Sequence, residues 1–375
     1  MKKHLASTSE PLLRREMPEL DTIRGIAVLA VILYHGLFWK VPLSDFSWPE
    51  RVFLSGMWAG RFGVNLFFVL SGFLITGILV DSLGRADYFK RFYIRRALRI
   101  IPAYLAIVVV LYVFHYAPGS FLILSLFYLS NLTPLFGVAM AYPVLWSLAV
   151  EEHFYFLWPA MVRNVKRSTL IGICTSVVVA TPFLRLATYF LTIHDGFVSY
   201  ACNEYTWNCL DGLSCGAALA IYLRRYQPTR KTLLRLSGVL TAGSIAIWIL
   251  SFPFGIVTTK TPVGAALQVV PWHLFFTALL GIFLLVGTGP LKAFVRVRLL
   301  QFLGFISYGL YLIHLLVFEL FDRFSMNFSK HLPNISTFAF LILRLAVVLT
   351  ISITIAYLSR RYFEEQFLRL KGRFS

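Results

Sequence analysis

The sequence predicts an all-α, polytopic membrane helix bundle of about ten transmembrane helices, and three observations predict it. Of the 375 residues 58% are hydrophobic and only 14% charged, with a mean hydropathy of +0.74. A soluble domain of that make-up would have to hide more apolar surface than one core can hold. Largely apolar runs of span length recur from end to end, as in membrane helices. The net charge of +18 sits in short clusters between those runs. No soluble basic domain is left over, so the nucleic-acid reading of a basic chain is excluded.

In order, spans are expected at 22–40, 62–80, 100–117, 144–162, 169–187, 209–223, 236–251, 270–287, 302–320 and 338–358. With these, 27 of the 35 Lys and Arg fall on one side, Lys2, Lys3, Arg15, Lys371 and Arg373 of the tails among them. The other eight, Lys40, Arg185, Lys330 and Arg344 included, fall on the opposite side or inside spans. The positive-inside rule makes the richer side cytoplasmic, with both termini there. The expected organisation is a cytoplasmic tail at 1–20, a transmembrane domain at 21–360 and a cytoplasmic tail at 361–375, in a plasma (inner) membrane.

Residues 118–143 are apolar enough to span, yet a crossing there would place Arg163, Lys166 and Arg167 outside. A re-entrant or interfacial helix broken near Asn131-Leu132-Thr133-Pro134 keeps the charge rule, and such a break can line a pocket. The first apolar run starts beyond residue 20 without a small-residue cleavage site, so no cleavable signal peptide is expected. Nothing resembles a repeat, a Walker loop, a dinucleotide fingerprint or a zinc spacing. Cys174 and Cys215 fall in spans as packing residues, whereas Cys202 and Cys209 flank CNEYTWNC, where an oxidising compartment permits a disulfide.

Ionisable residues inside the spans carry the functional argument. In the first helix, LDTIRGIAVLAVILYHGLFW, Arg24 and His35 are 11 residues apart, so both project from one face about 16 Å apart. His35 has the titration range of a general base, against the plainer reading of a buried ring satisfying a carbonyl. In LWSLAVEEHFYFLWP, Ser147 and Glu151 share a face while Glu151 and Glu152 diverge by about 100°. Two carboxylates in mid-span are too costly for packing alone, and one of them can orient His35 as an acid orients the base of a triad. The basic loop DYFKRFYIRRALRIIPAY sets topology, but Arg95, Arg96 and Arg99 also suit phosphates with their bidentate forks. Gly63, Gly72 and Gly77, beside Ser71, read as helix-packing positions.

The stretches LDTIRGIAVLAVILYH, GVNLFFVLSGFLI, FYIRRALRIIPAY, LWSLAVEEHFYFLWP, ISYGLYLIH and SRRYFEEQFL, in order from residue 20 to 368, resemble the acyltransferase-3 family of integral-membrane acyltransferases. The resemblance implies transfer of an acyl group, acetyl by family analogy, from cytoplasmic acyl-CoA to a hydroxyl of an exported or cell-envelope glycan, lipopolysaccharide included, or glycolipid. No cofactor is expected to be permanently bound; acyl-CoA is a co-substrate. By the same resemblance His35 is the essential histidine and Arg24 its partner, while Arg95, Arg96 and Arg99 hold the CoA phosphates. Ser147, Glu151 and Glu152 form the serine and double-glutamate motif, and Tyr308, Tyr311 and His314 a late tyrosine–histidine motif. Two departures are Asn65, where an acid is common, and His153, where Gln is usual. The family often carries a fused extracytoplasmic hydrolase-like domain; none is expected before the sequence ends at Ser375. A proton-coupled or lipid-linked-sugar transporter would use intramembrane His and Glu equally well, and a non-catalytic scaffold for glycan assembly is a third option.

Overall fold

The computed structural model describes residues 11–14, 16–328 and 336–370. Lys2, Lys3, Arg15, Lys330, Lys371 and Arg373, and with them half of the expected 1–20 tail, lie outside the described residues. Among these residues there is no strand. Ten helices have 18 residues or more: α1 (Pro18–Leu37), α2 (Gly63–Asp81), α3 (Tyr88–Val113), α4 (Leu145–Asn164), α5 (Arg167–Thr192), α6 (Thr206–Tyr226), α7 (Arg230–Ser251), α8 (Val270–Gly287), α9 (Arg298–Phe328) and α10 (Thr337–Leu358). Eight helical segments are long and apolar enough to cross a membrane. The other two long helices are α4 and α6, whose apolar runs are interrupted by Glu151, Glu152 and His153 and by Asn208 and Asp211.

Helix α3 corrects the expectation of a loop from Asp87 to Arg99. It begins at Tyr88, so Arg91, Arg95, Arg96 and Arg99 stand in its first turns. Lys, Arg, Ala and Leu are good helix formers, and long basic side chains carry their charge away from an apolar surface, so the charge run need not break the helix. The 118–143 segment contains no helix long enough to cross. It holds a helix at Gly119–Leu126, roughly 12 Å long, and a 3-10 stretch at Ser130–Phe136. The break is anchored: buried Asn131 donates to the Glu204 carbonyl at 3.2 Å and to Thr206 Oγ1 at 2.8 Å.

Helices α2 and α6 pack backbone to backbone. A Cβ on Gly72 would stand 1.9 Å from the Leu213 carbonyl oxygen, and one on Gly216 1.8 Å from that of Val69. Only glycine lets these backbones touch. Between α5, α6 and α8 lies a buried polar knot: Arg185 meets Asp211 at 2.5 Å, both side chains 2% exposed, and also donates to the carbonyls of Asn208 and Ala266. His273 Nδ1 is 3.1 Å from the same carboxylate, and its Nε2 is 2.8 Å from Asn65 Nδ2. Charges this far from water persist only when paired and hydrogen-bonded. Cys174, Cys202, Cys209 and Cys215 are all unpaired and buried.

Candidate active site

Two cavities enter the bundle from opposite ends. At the end where α2 runs into α3, a cavity of about 390 Å³ is lined by Arg24 from α1, Ser71 from α2, Arg91, Arg95, Arg96 and Arg99 from α3, Ser147, Glu151, Glu152 and Tyr155 from α4, and Tyr308 and Tyr311 from α9. Nine residues singled out as site candidates in the sequence thus meet in one space: Arg24, Arg95, Arg96, Arg99, Ser147, Glu151, Glu152, Tyr308 and Tyr311. Five guanidiniums face two carboxylates across it, so its potential is positive and favours an anionic group.

The two glutamates differ. Glu151 accepts from Ser71 Oγ at 2.9 Å and from the Tyr155 hydroxyl at 2.7 Å, and the Arg96 guanidinium lies 4.2 Å from the centre of the Tyr155 ring. Glu152 makes no hydrogen bond among the described residues and presents its carboxyl to the cavity. Arg24 is paired with Asp21 one turn earlier. At the turn between α2 and α3, hydrogen bonds from Arg85 hold the Asp87 carboxyl below the usual carboxylate range, so an anion stays beside this basic entrance. Among the described residues no group of three or more His, Cys, Asp or Glu is placed to hold a metal ion.

His35 lies elsewhere. It lines a second cavity, of about 600 Å³, beyond the C-terminal end of α1, with Trp39, Lys40, Tyr116, Glu319, Asp322, Arg323 and Arg344. Arg344 grips Asp322 through two bonds of 2.5 and 2.6 Å and donates to the Gly36 carbonyl, and Tyr116 donates to Glu319 at 2.9 Å. The expected alignment of His35 by a glutamate is therefore corrected. The imidazole partner is His314, whose Nε2 is 3.0 Å from His35 Nδ1. The physical reason is helix length: Glu151 and Glu152 sit about two turns into α4, in the opposite cavity, while His314 is at the depth of His35 on the neighbouring helix.

A partition separates the cavities. Ser147 Oγ and the Tyr311 hydroxyl are 2.7 Å apart and both line the basic cavity. His314 stands behind Tyr311, with Nδ1 2.7 Å from the Tyr311 carbonyl, and His35 stands behind His314. Tyr308 is fixed by donating to the Ile100 carbonyl. Sequence reasoning missed Tyr155 and the Glu319–Arg323 and Asp322–Arg344 pairs, and read Ser71 only as a small packing residue. Acids one helical turn from a basic residue, as in ELFDRF (residues 319–324), were the available signal.

The acyltransferase-3 family model, an acyltransferase domain, matches residues 17–357. The peptidoglycan O-acetyltransferase OatA of Listeria monocytogenes is 30% identical over 335 residues, covering 80% of this chain and 49% of that protein. The O-acetyltransferase OatA of Staphylococcus aureus is 26% identical over 334 residues, covering 80% and 50%. The chain therefore spans about half the length of these curated relatives. No solved structure matches the chain significantly. The chain belongs to the acyltransferase-3 family.

Proposed function

For a member of this family with two opposed cavities, we propose transfer of an acyl group, acetyl in the first instance, from acyl-CoA to a hydroxyl of a cell-envelope glycan. The observation that carries the reading is the partition: a guanidinium-lined cavity and a histidine-lined cavity end on either side of Ser147, Tyr311 and His314. The relatives' names, which specify O-acetyl transfer and in one case peptidoglycan, support the acceptor class.

In the proposed reaction the CoA phosphates rest against Arg91, Arg95 and Arg99, with bidentate guanidinium bonds fixing the nucleotide. The pantetheine arm runs past Glu152 and brings the thioester to Ser147 and Tyr311. The acceptor enters the opposite cavity, where Trp39, edge-on to the His35 ring at 5.3 Å, offers a face for a sugar. His35 takes the hydroxyl proton, the oxygen bonds to the acyl carbon, the carbon–sulfur bond breaks, and the thiolate leaves to be protonated. That is direct attack. In a transient acyl-enzyme a protein nucleophile first loses its proton and takes the acyl group from sulfur, with thiol leaving; the acceptor oxygen then displaces that nucleophile, which regains a proton. The basic end then faces the cytoplasm, where acyl-CoA is made, in a plasma (inner) membrane with both termini inside.

The test is release of free CoA thiol by the purified protein given acetyl-CoA and a soluble glycan acceptor. Acceptor-dependent release with ester formation supports the reading, and His35→Ala is expected to abolish it in a protein that still inserts. A transporter would release no CoA, and full activity in His35→Ala would end the assignment of His35 as base.

A further inference from the structure

We propose that His314 is a positioning residue that holds His35 in the one tautomer able to act as a base toward the acceptor cavity. The inference rests on His35 acting as the base. A backbone carbonyl only accepts hydrogen bonds, so the 2.7 Å contact between His314 Nδ1 and the Tyr311 carbonyl places a proton on that nitrogen. A neutral imidazole has one N–H, which leaves His314 Nε2 as an acceptor. Its partner at 3.0 Å, His35 Nδ1, must then carry the donor hydrogen. His35 Nε2 remains the acceptor nitrogen, on a side chain that lines the acceptor cavity.

This is the task a carboxylate performs in a serine-type triad: fixing the tautomer and the plane of the base ring. Here a neutral ring performs it, and the burial explains why. His314 is 0% exposed, with apolar Leu310, Leu312 and Leu315 beside it in the helix. An anion there would need a buried cation to offset its desolvation, whereas a neutral imidazole backed by a main-chain carbonyl needs none. The backing bond comes from within α9 itself, so the orientation of His314 is set by its own helix.

The test uses the full-length protein. His314→Leu removes the acceptor, and turnover is expected to fall about a hundredfold or more, the scale of losing an aligned general base, with donor KM within a few fold. His314→Gln can offer a side-chain oxygen to His35 Nδ1 and an amide N–H to the Tyr311 carbonyl, and is expected to restore most of the turnover. Near-normal turnover in His314→Leu, or no rescue by Gln in a protein that binds donor normally, overturns the proposal. A measurement without substitution stands beside these: nitrogen-15 spectra of histidine-labelled wild-type protein, with His35 assigned through its Ala variant, should show the Nδ1–H form at His35, and the Nε2–H form would overturn it. Should His35→Ala itself stay active, the base reading fails instead, which separates the two outcomes.

Discussion

The Ser147 Oγ and the Tyr311 hydroxyl, 2.7 Å apart, close the floor of the basic cavity. His314 and then His35 follow behind Tyr311, and His35 lines the second cavity. A bond between α4 and α9 is therefore also a barrier between two solvent-reachable spaces, and its removal should be read in coupling as well as in rate.

Tyr311→Phe keeps the ring and loses one hydrogen bond, a cost of about 1 kcal/mol. Tyr311→Ala removes the ring, costs about 3–5 kcal/mol, and joins the cavities. The Ala variant is expected to hydrolyse acyl-CoA without acceptor, whereas the Phe variant keeps release acceptor-dependent. Equal acceptor-free release of CoA thiol by all three proteins would show that Tyr311 is no barrier.

Glu151 and Glu152 should part company on amidation. In Glu151→Gln one of the two donors, Ser71 or Tyr155, loses a carboxylate acceptor, and stability should drop by about 1–3 kcal/mol. Glu152→Gln breaks no hydrogen bond among the described residues, so its melting temperature should hold while turnover changes. Thermal unfolding in detergent beside steady-state rates checks both, and the reverse pattern would contradict the assignment.

Arg95→Gln is expected to raise the KM for acyl-CoA about tenfold or more, the worth of one charge-assisted hydrogen bond. The same variant should be nearly unaffected with an acyl-pantetheine donor, which lacks the nucleotide phosphates. An equal loss with both donors would place Arg95 in structure and not in phosphate recognition.

The knot of Arg185, Asp211 and His273 makes a stability prediction. Asp211→Ala strands a buried guanidinium and should cost about 3–5 kcal/mol. The double variant Arg185→Met with Asp211→Leu should recover much of it, because no uncompensated charge remains. Melting temperatures of wild type, the single and the double variant decide it; a double variant no more stable than Asp211→Ala would argue against a paired interaction.

The helices were legible because each apolar run is long and punctuated by charge. Expected and observed bounds agree within a few residues for α2, α4, α8 and α10; the start of α3 was misread most, a charge run being taken for a loop, and α5, α7 and α9 also extend past their expected bounds. The basic cavity was legible too, since six of its nine foreseen residues come from two short stretches on α3 and α4. What the sequence withheld was depth and register. Arg24 and His35 share a helix yet line different cavities, because about 16 Å of helix separates them along its axis. The partner of His35 comes from a helix 279 residues away, and nothing local distinguishes His314 from a packing residue. The polar knot was invisible for the same reason: Arg185, Asp211 and His273 are single polar residues on three separate helices.

The close seam between α2 and α6 has a mechanical consequence. With Gly72 and Gly216 backbone-to-backbone against their neighbours, that seam has no room for a side chain and still less for cargo. In the proposed reaction the freight passing through the protein then shrinks to an acyl group of a few heavy atoms. With nucleotide and sugar each held in its own vestibule, that reaction calls for no rocking of two halves about a central site.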